Sequence, residues 1–117
     1  MRVRAGSRGG YEILLGAGAL DALGEVARGA LHKRARKIVV VSDARVFPLY
    51  GARACGSLRA AGYDVAHCLA GGGERGKTLR TAERLLDFFA ARGLERTDAV
   101  VALGGGVVGD VAGFAAA

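Results

Sequence analysis

The spacing of apolar positions changes several times along the chain, and each change marks an element. Met1–Ala5 and Gly10–Leu15 are short extended candidates divided by a turn-rich linker, Gly6 to Gly10, which predicts a hairpin at a sheet edge. Ala19–Leu31 carries Leu20, Leu23, Val26 and Leu31 near helical spacing, a helix weakened by Gly24 and Gly29. Lys37–Ser42 is an unbroken β-branched run, the pattern of a parallel strand buried on both faces. Phe47–Ala61, with Pro48 near its first turn, reads as the next helix and Tyr63–Leu69 as the next strand. Thr78–Arg92 sets Leu79, Ala82, Leu85, Leu86 and Phe89 on one helical face and stops at Gly93. From Ala99 an apolar strand enters a triple glycine, Gly104–Gly106, and leaves as a small-residue helix. This alternation predicts an α/β fold: a Rossmann-like, mainly parallel sheet with flanking helices and an N-terminal edge hairpin.

At 117 residues and 51% hydrophobic the chain suits one small domain over 1–117. Its last residues, Gly113 to Ala117, stop inside an apolar helix without a cap or polar tail, the mark of a fragment. The net charge of +6 raises a nucleic-acid reading. The cations are scattered in pairs such as Lys33-Arg34 and Arg36-Lys37, with few aromatics and no nucleic-acid-binding motif, so a solvated arginine-rich surface is the better account. Cys55 and Cys68 lie among small or apolar residues and read as buried, unreactive thiols of a reducing compartment. No run approaches the roughly 18 apolar residues of a membrane span, and no signal peptide is present, so the expected location is the cytoplasm, away from membranes.

Chemistry concentrates in three places. A strand that ends in glycines and opens a helix lets the backbone approach a diphosphate and aims free N–H groups at it. Gly104, Gly106 and Gly109 fit the spacing G-x-G-x-x-G, and Asp110 behind them reads equally as a first-turn helix charge or a ligand contact. Asp43, directly after the Lys37–Ser42 strand, stands where ligands gather in open α/β sheets, and reads as a ribose-binding carboxylate or as a turn cap. The loop Ala70–Lys77 is either glycine slack or a device that turns Glu74 and Lys77 toward one ligand. His32, beside Lys33 and Arg34 at a helix end, reads as a surface or capping group, and His67 as a buried or exposed strand residue. Neither is assigned a metal.

Four separated elements coincide: Tyr11–Gly16; Val41-Ser-Asp43 followed by Leu49-Tyr50; Gly73-Glu74-x-x-Lys77-Thr78; and Gly104 to Ala116, with Asp110 and Phe114 in place. Together they resemble the N-terminal half of the 3-dehydroquinate synthase family, over nearly the whole chain. The resemblance implies a Rossmann-like domain that binds NAD, with Asp43 on the adenosine ribose and Gly73, Glu74 and Lys77 in the loop that contacts the cofactor. Gly105, Gly106 and Val107 then form the pyrophosphate turn, Gly109 is a further cofactor-binding position, and Asp110 lies on the nicotinamide side. It also implies conversion of 3-deoxy-arabino-heptulosonate 7-phosphate to 3-dehydroquinate with phosphate release, a step of aromatic amino acid biosynthesis. In that family a divalent metal, zinc or cobalt, and most contacts to the substrate phosphate belong to a helical C-terminal domain, and the whole protein is usually a homodimer. The chain alone is therefore expected to be inactive. Arg45 and Gly71 stand where the family commonly has asparagine and proline. Other sugar-phosphate cyclases, such as 2-deoxy-scyllo-inosose and valiolone-type synthases, and a non-catalytic nucleotide-binding module are the alternative readings.

Overall fold

The computed structural model describes residues 2–6, 17–31, 33–69, 78–95 and 97–104. At its centre is β2 (Lys37–Ser42), whose continuous apolar run needs cover on both faces. It pairs in parallel with β3 (Asp64–Leu69), Ile38 opposite Val65 and Ser42 opposite Leu69. On its other side it pairs in parallel with β4 (Ala99–Gly104), Val40 opposite Val101. The strand β1 (Arg2–Gly6) runs antiparallel along β4, which gives the order β1-β4-β2-β3. The second strand of the expected hairpin, 10–15, lies outside the described residues.

Successive side chains of a strand face opposite sides, and here the two sides bury against different helices. Ile38, Val40, Val65, Val101 and Leu103 pack on Leu20, Leu23, Ala27, Ala54 and Leu58, contributed by α1 (Leu23–Ala30), the tight turn before it, and α2 (Ala52–Ala60). Val39, Val41, Val100 and Ala102 pack on Ala82, Leu85 and Phe89 of α3 (Thr78–Ala91). Each such fully buried Val, Leu or Ile is worth about 1.5–3 kcal/mol over its exposed state. The sheet is thus the middle of three layers, an α/β Rossmann-like arrangement.

Two of the expected helices open differently from the plain α-helices that their spacing suggests. Ala17–Ala22 winds as a 3₁₀ turn before α1, and Phe47–Gly51, with Pro48 at its start, winds as a wider π turn before α2. Leu86 is a correction: it is 47% exposed, off the buried stripe of Ala82, Leu85 and Phe89. Cys68 is a second, half-buried where full burial was expected, while Cys55 is buried. The helix ends follow expectation. Gly93 takes φ +67° as Leu94 N–H reaches the Phe89 carbonyl and Gly93 N–H that of Ala90, a glycine-terminated cap. Gly62, at φ +100°, closes α2 in the same way.

Candidate functional site

The chain steps outward from β2 to β3, then crosses back over β2 to reach β4. The strand order therefore reverses between β2 and β4, and the carboxyl ends of these neighbours, Ser42 and Gly104, flank the switch point where open α/β sheets place their ligands. Ser42 is fully buried there, and its Oγ donates to the Leu103 carbonyl at 2.7 Å, tying the two strand ends together. Gly104 has φ +154°, a backbone state that residues with a Cβ rarely adopt, so the last position of β4 calls for glycine.

Asp43 follows directly on Ser42, half-buried at the rim of this crevice. Its Oδ1 accepts the backbone N–H groups of Arg45 at 2.9 Å and Val46 at 2.8 Å, so the turn-cap reading of this residue is realised. Among the described residues its Oδ2 takes no hydrogen bond. The cap fixes the direction of a carboxylate whose second oxygen remains an acceptor. That donor-hungry oxygen, beside a glycine exit from the adjacent strand, fits a hydroxyl-rich and phosphate-bearing ligand.

The remaining expected site residues, Gly73, Glu74, Lys77, Gly105, Gly106, Val107, Gly109 and Asp110, lie outside the described residues. Chain continuity alone assigns the two segments that hold them: 70–77 leaves from the carboxyl end of β3, and 105 onward from that of β4. His67 is exposed on β3, its ring stacked on Phe47 at a centroid distance of 4.3 Å, which pins the turn after Asp43 onto the edge strand. His32 is not among the described residues. Burial pushes both cysteine thiols up, against the opposing pull of Arg59 on Cys55 and Arg84 on Cys68, so neither has the lowered pKa of a nucleophilic thiol. Among the described residues no three His, Cys, Asp or Glu side chains converge as a metal-ligand group.

One polar residue of consequence has no counterpart in the sequence reading. Asp98, 6% exposed, caps the amino ends of β2 and β4: its Oδ1 accepts Arg36 and Lys37 N–H, each at 3.0 Å, and its Oδ2 accepts Glu95 N–H at 2.9 Å. Burial opposes its ionisation, but the three N–H donors and the Lys37 ammonium outweigh that and hold the carboxyl below its ordinary value. It lies at the pole opposite the switch point and works on the fold.

A three-layer α/β unit with a crevice at the β2/β4 strand reversal is the class that fold and site define. A family model described as the N-terminal part of 3-dehydroquinate synthase matches residues 67–117. The chain is 49% identical, over all 117 of its residues, to a 3-dehydroquinate synthase of Pelotomaculum thermopropionicum, covering 31% of that protein. It is 45% identical over 107 residues to that of Nostoc punctiforme and 41% over 106 to one from Enterococcus faecalis, covering 29% of each. The chain is similar to the N-terminal part of 3-dehydroquinate synthases, and it spans about three tenths of the length of these relatives.

Proposed function

We propose that this chain is the NAD-holding N-terminal unit of a 3-dehydroquinate synthase, a cytoplasmic lyase, which converts 3-deoxy-arabino-heptulosonate 7-phosphate to 3-dehydroquinate on the route to aromatic amino acids. The observation that carries the proposal is the 49% identity across the entire chain to a protein of that name. The position of Asp43 and Gly104 on either side of the strand reversal supports it.

In this reading Oδ2 of Asp43 accepts from the ribose hydroxyls while Oδ1 keeps its cap. Gly105, Gly106, Val107 and Gly109 bring backbone N–H groups to the pyrophosphate, and Gly73, Glu74, Lys77 and Asp110 complete the pocket. Bound NAD supplies a reversible hydride acceptor for the substrate alcohol. The chain's own part is to bind and orient: a capped carboxylate cannot swing away, and a glycine exit admits a diphosphate at close range. A divalent metal, zinc or cobalt, and the contacts to the substrate phosphate fall to residues beyond this stretch of the family. The chain alone therefore releases no phosphate, and the working protein pairs it with a C-terminal domain in a homodimer.

Phosphate release from 3-deoxy-arabino-heptulosonate 7-phosphate by the full-length protein, measured with and without NAD, tests the assignment. NAD-dependent release is expected, and turnover of a different sugar phosphate in its place would move the chain to a sibling cyclase. Calorimetric titration with NAD adds the site: Asp43→Ala and Gly106→Val each lose binding. Unchanged affinity in both would remove the cofactor assignment.

A further inference from the structure

The turn that follows Asp43 is held by more than its own hydrogen bonds. Oδ1 of Asp43 accepts the N–H groups of Arg45 and Val46, and its carbonyl accepts that of Phe47 at 3.0 Å, so three consecutive amides close on one residue. These bonds are local and lie at a half-buried rim, where water competes for the same groups. Phe47 ties the turn to the rest of the fold: it packs, partly buried, against the core on the α1/α2 side of the sheet, and two neighbours fix its ring. One is Gly51, at the far end of the π turn, where a Cβ would run into the Phe47 ring and come within 2.7 Å of its Cγ. Gly51 has φ −62° and ψ −42°, ordinary helical values at which alanine is the better helix former, so glycine is there to make room for the ring. The other neighbour is His67, whose imidazole stacks on the ring at a centroid distance of 4.3 Å and an interplanar angle of 22°. His67 stands on β3 opposite Val40 of β2, and among the described residues its ring nitrogens make no hydrogen bond, so the imidazole serves as a flat surface.

We propose that His67 is a positioning residue for the crevice: through its stack on Phe47 it holds the 43–47 turn in the one conformation that fixes the Asp43 carboxylate, with Oδ1 capped and Oδ2 left to a ligand. The step from the turn to NAD rests on the function proposed above, whereas the step from His67 to the turn does not. A turn that is competent only part of the time weakens apparent affinity in proportion to that fraction, and a turn that must be ordered on binding adds a further cost. Both effects act before any chemistry, so they change the Kd and KM for NAD and leave kcat at saturating NAD as it was.

The test uses the full-length protein and three variants. His67→Thr removes the ring and keeps a β-branched strand residue, His67→Phe keeps an aromatic stack without the imidazole, and Gly51→Ala drives a methyl group into the Phe47 ring. Hydrogen exchange at amides 45–47 reads the turn with no ligand present, exchange across β2 and β4 reads the sheet, and titration and steady-state kinetics with NAD read the site beside Asp43→Ala. In His67→Thr and Gly51→Ala, exchange at 45–47 is expected to quicken while β2 and β4 keep their protection. NAD affinity should then fall roughly two- to tenfold, the reach of one aromatic pair, with kcat unchanged, and His67→Phe should match the wild type in both readouts. Unchanged exchange at 45–47 in His67→Thr overturns the proposal, as does a loss of protection spread equally over the sheet or a failure of His67→Phe to hold the turn. NAD affinity that survives His67→Thr but is lost in Asp43→Ala overturns the step from turn to cofactor. A wild-type protein that binds no NAD, with exchange responding as expected, refutes the cofactor reading and upholds His67 as the residue that positions Asp43.

Discussion

Asp98 shows how much one carboxylate can anchor: its two oxygens hold three backbone N–H groups from segments some sixty residues apart in sequence. Replacing it with Ala strands those donors at a buried site, at a cost of about 1–3 kcal/mol for each donor left unpaired, less than additively. Asp98→Ala is therefore expected to lose roughly 2–4 kcal/mol in urea unfolding, and a loss under 1 kcal/mol would show that water replaces the carboxylate freely. Because the folded carboxyl is held below its ordinary value of 3.8, its contribution is complete above that pH and disappears as pH falls through the lower, folded value. Midpoints of wild type and Asp98→Ala should thus converge in acid and diverge toward neutrality. None of this was legible in the sequence, since the partners are main-chain groups and no side-chain pattern encodes them. Asp43 was half legible: its place at a strand end was clear, but whether it capped or bound turned on geometry that the sequence does not contain, and the cap leaves one oxygen over.

At the scale of elements the glycines divide into those the packing requires and those it tolerates. A Cβ on Gly24 would run into the Ser57 carbonyl and come within 2.9 Å of the Ala61 Cβ, where α1 crosses α2. The same crossing is bonded by Gly24 N–H to Ser57 Oγ at 2.9 Å and by that hydroxyl to the Asp21 carbonyl at 2.9 Å. Gly24→Ala is expected to destabilise by about 1–3 kcal/mol through forced separation of the helices. Around Gly29 and Gly56 a Cβ meets nothing within 4 Å, so alanine at either should stabilise by about 0.5–1 kcal/mol through helix propensity. Thermal melts of the three variants check this, and equal destabilisation in all would refute the division. From sequence, Gly24 and Gly29 looked alike, two weak points in one helix, because only a partner helix separates them. Strands were the clearest elements, since Lys37–Ser42 needs cover on both faces and receives it. Leu86 misled because it is next to Leu85 on the stripe, and one helical position, about 100°, turns it to solvent.

For the whole molecule the decisive feature is the strand reversal between β2 and β4, which no local pattern announces: alternation of strands and helices leaves the strand order open. The glycine run nevertheless pointed to the carboxyl end of the last strand, and that end lies beside Asp43's strand because β4 inserts between β1 and β2. Ser42 holds the two ends in register from inside, with its Oγ on the Leu103 carbonyl at 2.7 Å. Its removal separates stability from site geometry. Ser42→Ala should cost only about 0.5–1.5 kcal/mol in unfolding, the net worth of one such bond, since the parallel ladder between β2 and β4 persists. Ligand linkage supplies the second readout: a ligand at a hundred times its Kd adds about 2.7 kcal/mol to the native state, so on the function proposed above NAD is expected to raise the melting temperature of a protein whose crevice is intact. In Ser42→Ala that NAD-dependent rise is expected to shrink, whereas Gly24→Ala, remote from the switch point, keeps the rise from a lower starting temperature. If both variants retain the same increment, the Ser42 bond serves the sheet alone, and the alignment of Asp43 with the glycine exit rests on the strand pairing.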